Sequence, residues 1–115
     1  MMDNAVREKS YRFAVRIVKL CRFLKNEKKE HIMSRQLLRS GTSVGANVAE
    51  AQHAQSRQDF LAKLNIALKE AAETDYWLRL LYETEYLTER QFKSIYEDCD
   101  EVERLLVSIV KSVKG

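Results

Sequence analysis

The sequence predicts an all-α protein folded as an antiparallel up-down four-helix bundle. Three observations lead there. Apolar residues recur at three- and four-residue steps along four separate stretches. The chain has no proline and only 3 glycines. No alternating apolar run and no Asn-Gly or Asp-Gly hairpin signal suggests a strand. Its 115 residues suffice for one domain with one core, and short connections make consecutive helices antiparallel neighbours.

The first helix is expected over about residues 5–29, with Phe13, Ile17, Leu20, Cys21 and Leu24 as its buried stripe and the charged "KNEKKEH" as its end. The second should start at Ser34, an N-cap residue type, and run to about Ala54, with Leu37, Gly41, Val44, Gly45, Val48 and Gln52 on one face. Ser56 and Asp59 in "SRQD" read as an approximate capping box for the third. Its stripe is Phe60, Leu64, Ala67, Leu68, Ala71, Leu78 and Leu81, and "YETEYLTE" breaks it. Thr88 and Gln91 form a capping box for the fourth, whose stripe is Phe92, Ile95, Tyr96, Cys99, Val102, Leu106, Ile109 and Val113.

Composition narrows the function classes. Charged residues make up 32% and hydrophobic residues 45%, as in a folded, water-soluble chain. No apolar run reaches the roughly 18 residues of a membrane span, and "MMDNAVREKS" lacks the apolar core of a secretory signal. A cytoplasmic location follows as the expectation. Cys21 and Cys99 fit no CxxC spacing and fall on apolar stripes, so both read as buried thiols. Residues 1–40 carry 11 Lys/Arg against 4 Asp/Glu, whereas residues 41–115 carry 9 against 13. Such a basic front and acidic back suit nucleic-acid contact or association of unlike surfaces, or simply neutralise each other within one fold.

No enzyme chemistry emerges. "GTSVGAN" lacks the lysine and spacing of a phosphate loop, and no strand precedes it. Glu50 and His53 have the E-x-x-H spacing of a bundle metal site, but the only other histidine, His31, follows Lys28 rather than a second glutamate. One chain therefore cannot build the site, and His53 is equally an exposed helix-end residue. Neither histidine has the arginine four to six residues upstream that HEPN-type ribonucleases use. Nothing marks a catalytic triad or a carboxylate pair. The expectation is no enzyme, no cofactor, no metal and no small-molecule substrate.

The outward faces say more. On helix 1, Lys9, Arg12, Arg16, Lys19 and Arg22 form a basic arc that also contains Val15 and Phe23. On helix 3, Ile66, Trp77 and Leu80 form a second apolar stripe flanked by Glu70 and Glu73. A helix with two apolar sides is usually buried on both, so a subunit interface anchored on Trp77 is expected. The alternative is that Trp77 lies against its own chain. On helix 2, Arg39, Ser43, Ala46, Asn47 and Glu50 suit a close contact with charge pairing between neighbouring elements, or a solvated face.

The stretch "LLRSGTSVGANVAEAQHAQSRQDFLAKLNIALKEAAETDYWLRLL" resembles the four-helix bundle proteins encoded by intervening sequences in bacterial 23S rRNA genes. The likeness extends through "YRFAVRIVKL" and "YLTERQF", and is most specific at Arg39, Ser43, Ala46, Asn47, Ala49, Glu50, Phe60, Leu64, Ala67, Glu70 and Trp77. Some branches of that family have proline at the place of Gly45 and glycine at the place of Ala51, and this chain follows the "SVGANVAEA" branch instead. The resemblance implies a homopentameric toroid of antiparallel bundles, kinship with accessory proteins of diversity-generating retroelements, no enzymatic activity, and nucleic-acid binding as the usual proposal. RNA contacts are then expected at Arg12, Arg16, Lys19 and Arg22, with Lys25, Lys28 and Lys29 next. The alternative is a scaffold that docks a polymerase- or ribosome-linked protein while the basic arc serves assembly.

Overall fold

The computed structural model describes residues 4–114. Four helices follow one another: α1 (Asn4–Asn26), α2 (Met33–Ala51), α3 (Arg57–Glu83) and α4 (Glu89–Lys114). Each packs on two neighbours, α1 on α2 and α4, and α3 on α2 and α4, while the diagonal pairs make no close backbone approach. This is the expected antiparallel bundle, 44 Å long and about 20 Å across. Among the described residues there is no strand, and no helix is long and apolar enough to cross a membrane.

The predicted stripes meet along the bundle axis. Phe13, Ile17 and Leu24 of α1, Leu37, Val44 and Val48 of α2, Phe60, Leu64, Leu78 and Leu81 of α3, and Val102 and Leu106 of α4 are all buried. Leu20, Leu68, Phe92, Ile109 and Val113 pack against this core from its rim. Phe92 and Tyr96 sit at the α3–α4 edge, where Phe92 stacks on Tyr82 with ring centroids 4.5 Å apart. An apolar search passes over the buried polar positions, among them Thr74 and Ser40. Thr74, on the α3 stripe between Ala71 and Leu78, is fully buried and donates to the Glu70 carbonyl at 2.8 Å. Its hydroxyl lies 2.9 Å from that of buried Ser40. This contact links α2 and α3 inside the core, and each hydroxyl also reaches a carbonyl of its own helix, Glu70 for Thr74 and Leu37 for Ser40.

The connections correct several boundaries. α1 stops at Asn26, and Lys29 enters the left-handed region at φ 55° to reverse the chain. Ser34 is not the cap of α2. The Glu30 carboxylate does that work, accepting from the N–H groups of Ile32 (3.1 Å), Met33 (2.8 Å) and Ser34 (2.9 Å). Ser34 lies inside the first turn and donates its hydroxyl back to the Glu30 carbonyl at 2.8 Å. α2 ends at Ala51, short of Ala54. The expected Ser56 cap is present, its hydroxyl accepting from the Asp59 N–H at 3.0 Å, but Asp59 reaches back to the N–H of Gln55 rather than of Ser56. Thr88 and Gln91 form the full reciprocal box.

α3 ends in a Schellman turn. The Tyr86 N–H bonds the Leu81 carbonyl at 2.9 Å, the Glu85 N–H bonds that of Tyr82 at 3.0 Å, and Glu85 holds φ 70°. A side chain with a Cβ is strained there, roughly 1–2 kcal/mol in the left-handed region. Glu85→Gly should therefore raise stability by about 1 kcal/mol, read as a higher urea midpoint with an unchanged slope. An unchanged or lower midpoint would mean that the turn is not strained.

The two helix 2 glycines explain how closely α1 and α2 approach. A Cβ on Gly41 would lie 2.8 Å from both γ carbons of Ile17, and one on Gly45 would lie 3.1 Å from the Ser10 carbonyl oxygen. The gap between the two helices at these points is the space left by two missing methyl groups.

Candidate nucleic-acid interface

The basic arc of α1 divides once the neighbouring helices are in place. Successive residues of a helix turn by about 100°, so Lys9 and Arg16 point toward α4 while Arg22 and Lys25 lie toward α2. Lys9 pairs with Glu101 of α4. Arg16 donates to Asp98 at 2.6 Å, to the Ser94 carbonyl at 3.1 Å and to the Ser94 hydroxyl at 2.8 Å. Its guanidinium is thus committed to holding α1 against α4. Arg12 is exposed and pairs along its own helix with Glu8 at 3.2 Å. Among the described residues, Lys19, Arg22 and Lys25 are exposed cations without an ion pair. Lys28 sits 6.0 Å from the Phe23 ring centroid, and Lys29 occupies the left-handed turn.

The short α1–α2 connection brings the last turns of α1 beside the first turns of α2. Arg22 and Lys25 there meet His31 and Arg35 around a cavity of about 280 Å³, with Val18, Cys21, Ser34 and Leu38 completing its lining. No carboxylate lines it. The nearby Glu30 is buried, with its charge spread over three α2 N–H groups. The pattern of helix 1 alone found Arg22 and Lys25 but not Arg35 or His31. A short turn between antiparallel helices necessarily sets residue 35 opposite residue 22, which was the available signal. Arg12 and Arg16 do not join this group.

The thiols offer no chemistry. Burial, and then the Glu30 charge, pushes the Cys21 thiol up to about 12, and it donates to the Ser34 carbonyl at 3.3 Å. Burial, and then Glu103, pushes Cys99 up as well. Both are neutral at physiological pH. Among the described residues no group of three His, Cys, Asp or Glu side chains could hold a metal ion. Glu50 instead pairs with Lys63 at 3.1 Å.

The expected interface residues gather on the α2–α3 seam, apart from Val15 and Phe23 on α1. Arg39 donates to Glu70 at 3.3 Å and pairs with Glu73, which also accepts from the Trp77 indole N–H at 3.0 Å. Within the chain, Arg39 and Glu50 each pair with a residue of α3, Arg39 with Glu70 and Glu73 and Glu50 with Lys63. One Arg39 guanidinium thus faces two carboxylates, Glu70 and Glu73, and a net negative charge remains beside Trp77. Trp77 is partly buried and packs against its own core. Asn47 donates to the Ser43 carbonyl at 2.9 Å, and Ala46 is exposed. Ile66 stays exposed, Leu80 and Phe23 are partly buried, and Val15 is exposed.

The fold and this seam define an antiparallel four-helix bundle with a carboxylate-free basic cavity at the α1–α2 end. Within that class, the chain belongs to the 23S rRNA-intervening sequence protein family, whose model matches residues 2–108. It is similar to a protein of unknown function from the S23 ribosomal protein family of Bacteroides thetaiotaomicron VPI-5482. That crystal structure shares 62% identity over 96% of this chain and 99% of the other, with a TM-score of 0.94. No curated protein matches the chain.

Proposed function

We propose that this protein is a non-enzymatic, cytoplasmic homo-oligomer that binds RNA or structured nucleic acid through the α1–α2 seam. The carrying observation is the cavity that collects Arg22, Lys25, His31 and Arg35 without a lining carboxylate. Three exposed cations around one concave surface suit phosphate oxygens, and each phosphate neutralised releases condensed counterions. One copy offers few such contacts. The pentamer implied by the family resemblance repeats the site around an axis, so that weak contacts add on a single RNA. No base-reading motif accompanies the cavity, so binding follows charge and shape.

A second reading, a scaffold that docks a protein partner, draws on exposed apolar side chains such as Ile32, 79% exposed beside the basic cavity, and Tyr76, 58% exposed. Titration of fragments of the host's own 23S rRNA, at 50 mM and 200 mM salt, separates the two. The proposal expects binding that weakens steeply at the higher salt, by a particle whose light-scattering mass is a multiple of 13.5 kDa. Absence of binding at the lower salt would leave the scaffold reading.

A further inference from the structure

The α1–α2 seam has a second cavity at its opposite end, of about 850 Å³, between the first turns of α1 and the last turns of α2. Tyr11 lines it and is 71% exposed, an unusual position for an aromatic ring on a helix. Arg7 and Arg12 lie beside it on α1, and His53 closes the α2 side. The one lining carboxylate, Glu8, is taken by Arg12 at 3.2 Å. The floor is low because Gly45 and Ala49 contribute almost no side chain, and Gly45 cannot gain one without meeting the Ser10 carbonyl. Gln52 also lines the cavity.

The two cavities share one line of α1. From Tyr11 to Arg22 is three helical turns plus about 20°, roughly 16 Å along the axis. A strand whose phosphates lie on Arg22 and Lys25 therefore runs toward Tyr11 without crossing the bundle. An aromatic ring flanked by arginines beside a shallow pocket is the arrangement that holds splayed-out bases.

We infer that this cavity takes an unpaired nucleobase of a single-stranded nucleic acid, stacked on Tyr11, with Arg7 on a flanking phosphate. The inference rests on nucleic-acid binding as proposed above and adds what the seam selects: unpaired over duplex segments. Duplex bases are stacked on each other and cannot reach the ring.

The test uses the full chain, a labelled 12-nucleotide single-stranded RNA and a labelled blunt-ended duplex of the same length. Tyr11→Ala should weaken single-strand binding by about tenfold or more and change duplex binding by less than about twofold, while Tyr11→Phe retains both. A 2-aminopurine placed in the single strand should be quenched on binding to the wild type and not to Tyr11→Ala. Equal losses on both RNAs, or wild-type affinity in Tyr11→Ala, would overturn this inference and leave the basic-cavity reading standing. A Tyr11→Ala variant with a smaller assembled mass would also overturn it, marking the face as a contact between copies. A wild type that binds neither RNA at low salt would remove both.

Discussion

Replacing Glu30 by alanine should lower stability by about 2–3 kcal/mol, among the largest single effects available at a polar position of this chain. A buried carboxylate there accepts three backbone N–H groups that open α2, at 2.8–3.1 Å. An N-cap side chain ordinarily satisfies one such group and contributes about 1 kcal/mol. Here one side chain satisfies three, and its negative charge lies at the positive end of the helix dipole. Glu30→Gln keeps one acceptor oxygen but loses the charge, so it should fall between the wild type and the alanine variant. Ser34→Ala should cost only about 1 kcal/mol, since it removes a single bond to the Glu30 carbonyl. Urea unfolding at one fixed protein concentration checks the series, the fixed concentration being needed for any chain that self-associates. Equal losses in Ser34→Ala and Glu30→Ala would contradict the assignment of Glu30 as the cap.

Gly41→Ala should also destabilise, by about 2 kcal/mol, although alanine is the better helix former by roughly 1 kcal/mol. The added methyl would meet both γ carbons of Ile17 at 2.8 Å. Ile17 is fully buried and β-branched, so it has no free rotamer to retreat into. The helices must then separate, opening gaps on either side of the contact. A double-mutant cycle with Ile17→Ala isolates the cause. Ile17→Ala alone leaves a cavity, but combined with Gly41→Ala the new methyl occupies freed space, so the pair should cost less than the sum. Additive losses would place the problem elsewhere than in this contact.

These two positions also show what the sequence could and could not convey. The period of Phe13, Ile17, Cys21 and Leu24, and its counterparts in the other helices, was enough for the bundle, because one apolar stripe per helix admits few arrangements. Gly41 and Gly45 were legible as a close approach of two helices, since little else accounts for glycine in a helix with strong propensity around it. Glu30 was not legible. A glutamate in a charged run reads as solvent-facing, and only the reversal at Lys29 turns its carboxylate onto the start of α2. Thr74 was passed over because its hydroxyl hid its place on the 3.6-residue stripe. The basic site was half legible. Lys9 and Arg16 resemble Arg22 and Lys25 in the pattern of helix 1, but Glu101 and Asp98 of α4, 92 and 82 residues away, take the first two and leave the second two open. Periodicity within one helix carries no information about which neighbour supplies the opposing charge.

The central claim is that the α1–α2 seam, and not the whole basic arc of α1, meets nucleic acid. The most direct measurement is the salt dependence of RNA affinity for the wild type, for Arg22→Ala/Lys25→Ala/Arg35→Ala, and for Arg16→Ala. The account predicts that the triple variant, still assembled, binds more weakly and loses about two to three from the slope of log affinity against log salt, as expected for roughly one phosphate per cation removed. Arg16→Ala should leave that slope unchanged, because its guanidinium is spent on Asp98 and Ser94. An unchanged slope in the triple variant, with a reduced one in Arg16→Ala, would contradict the account.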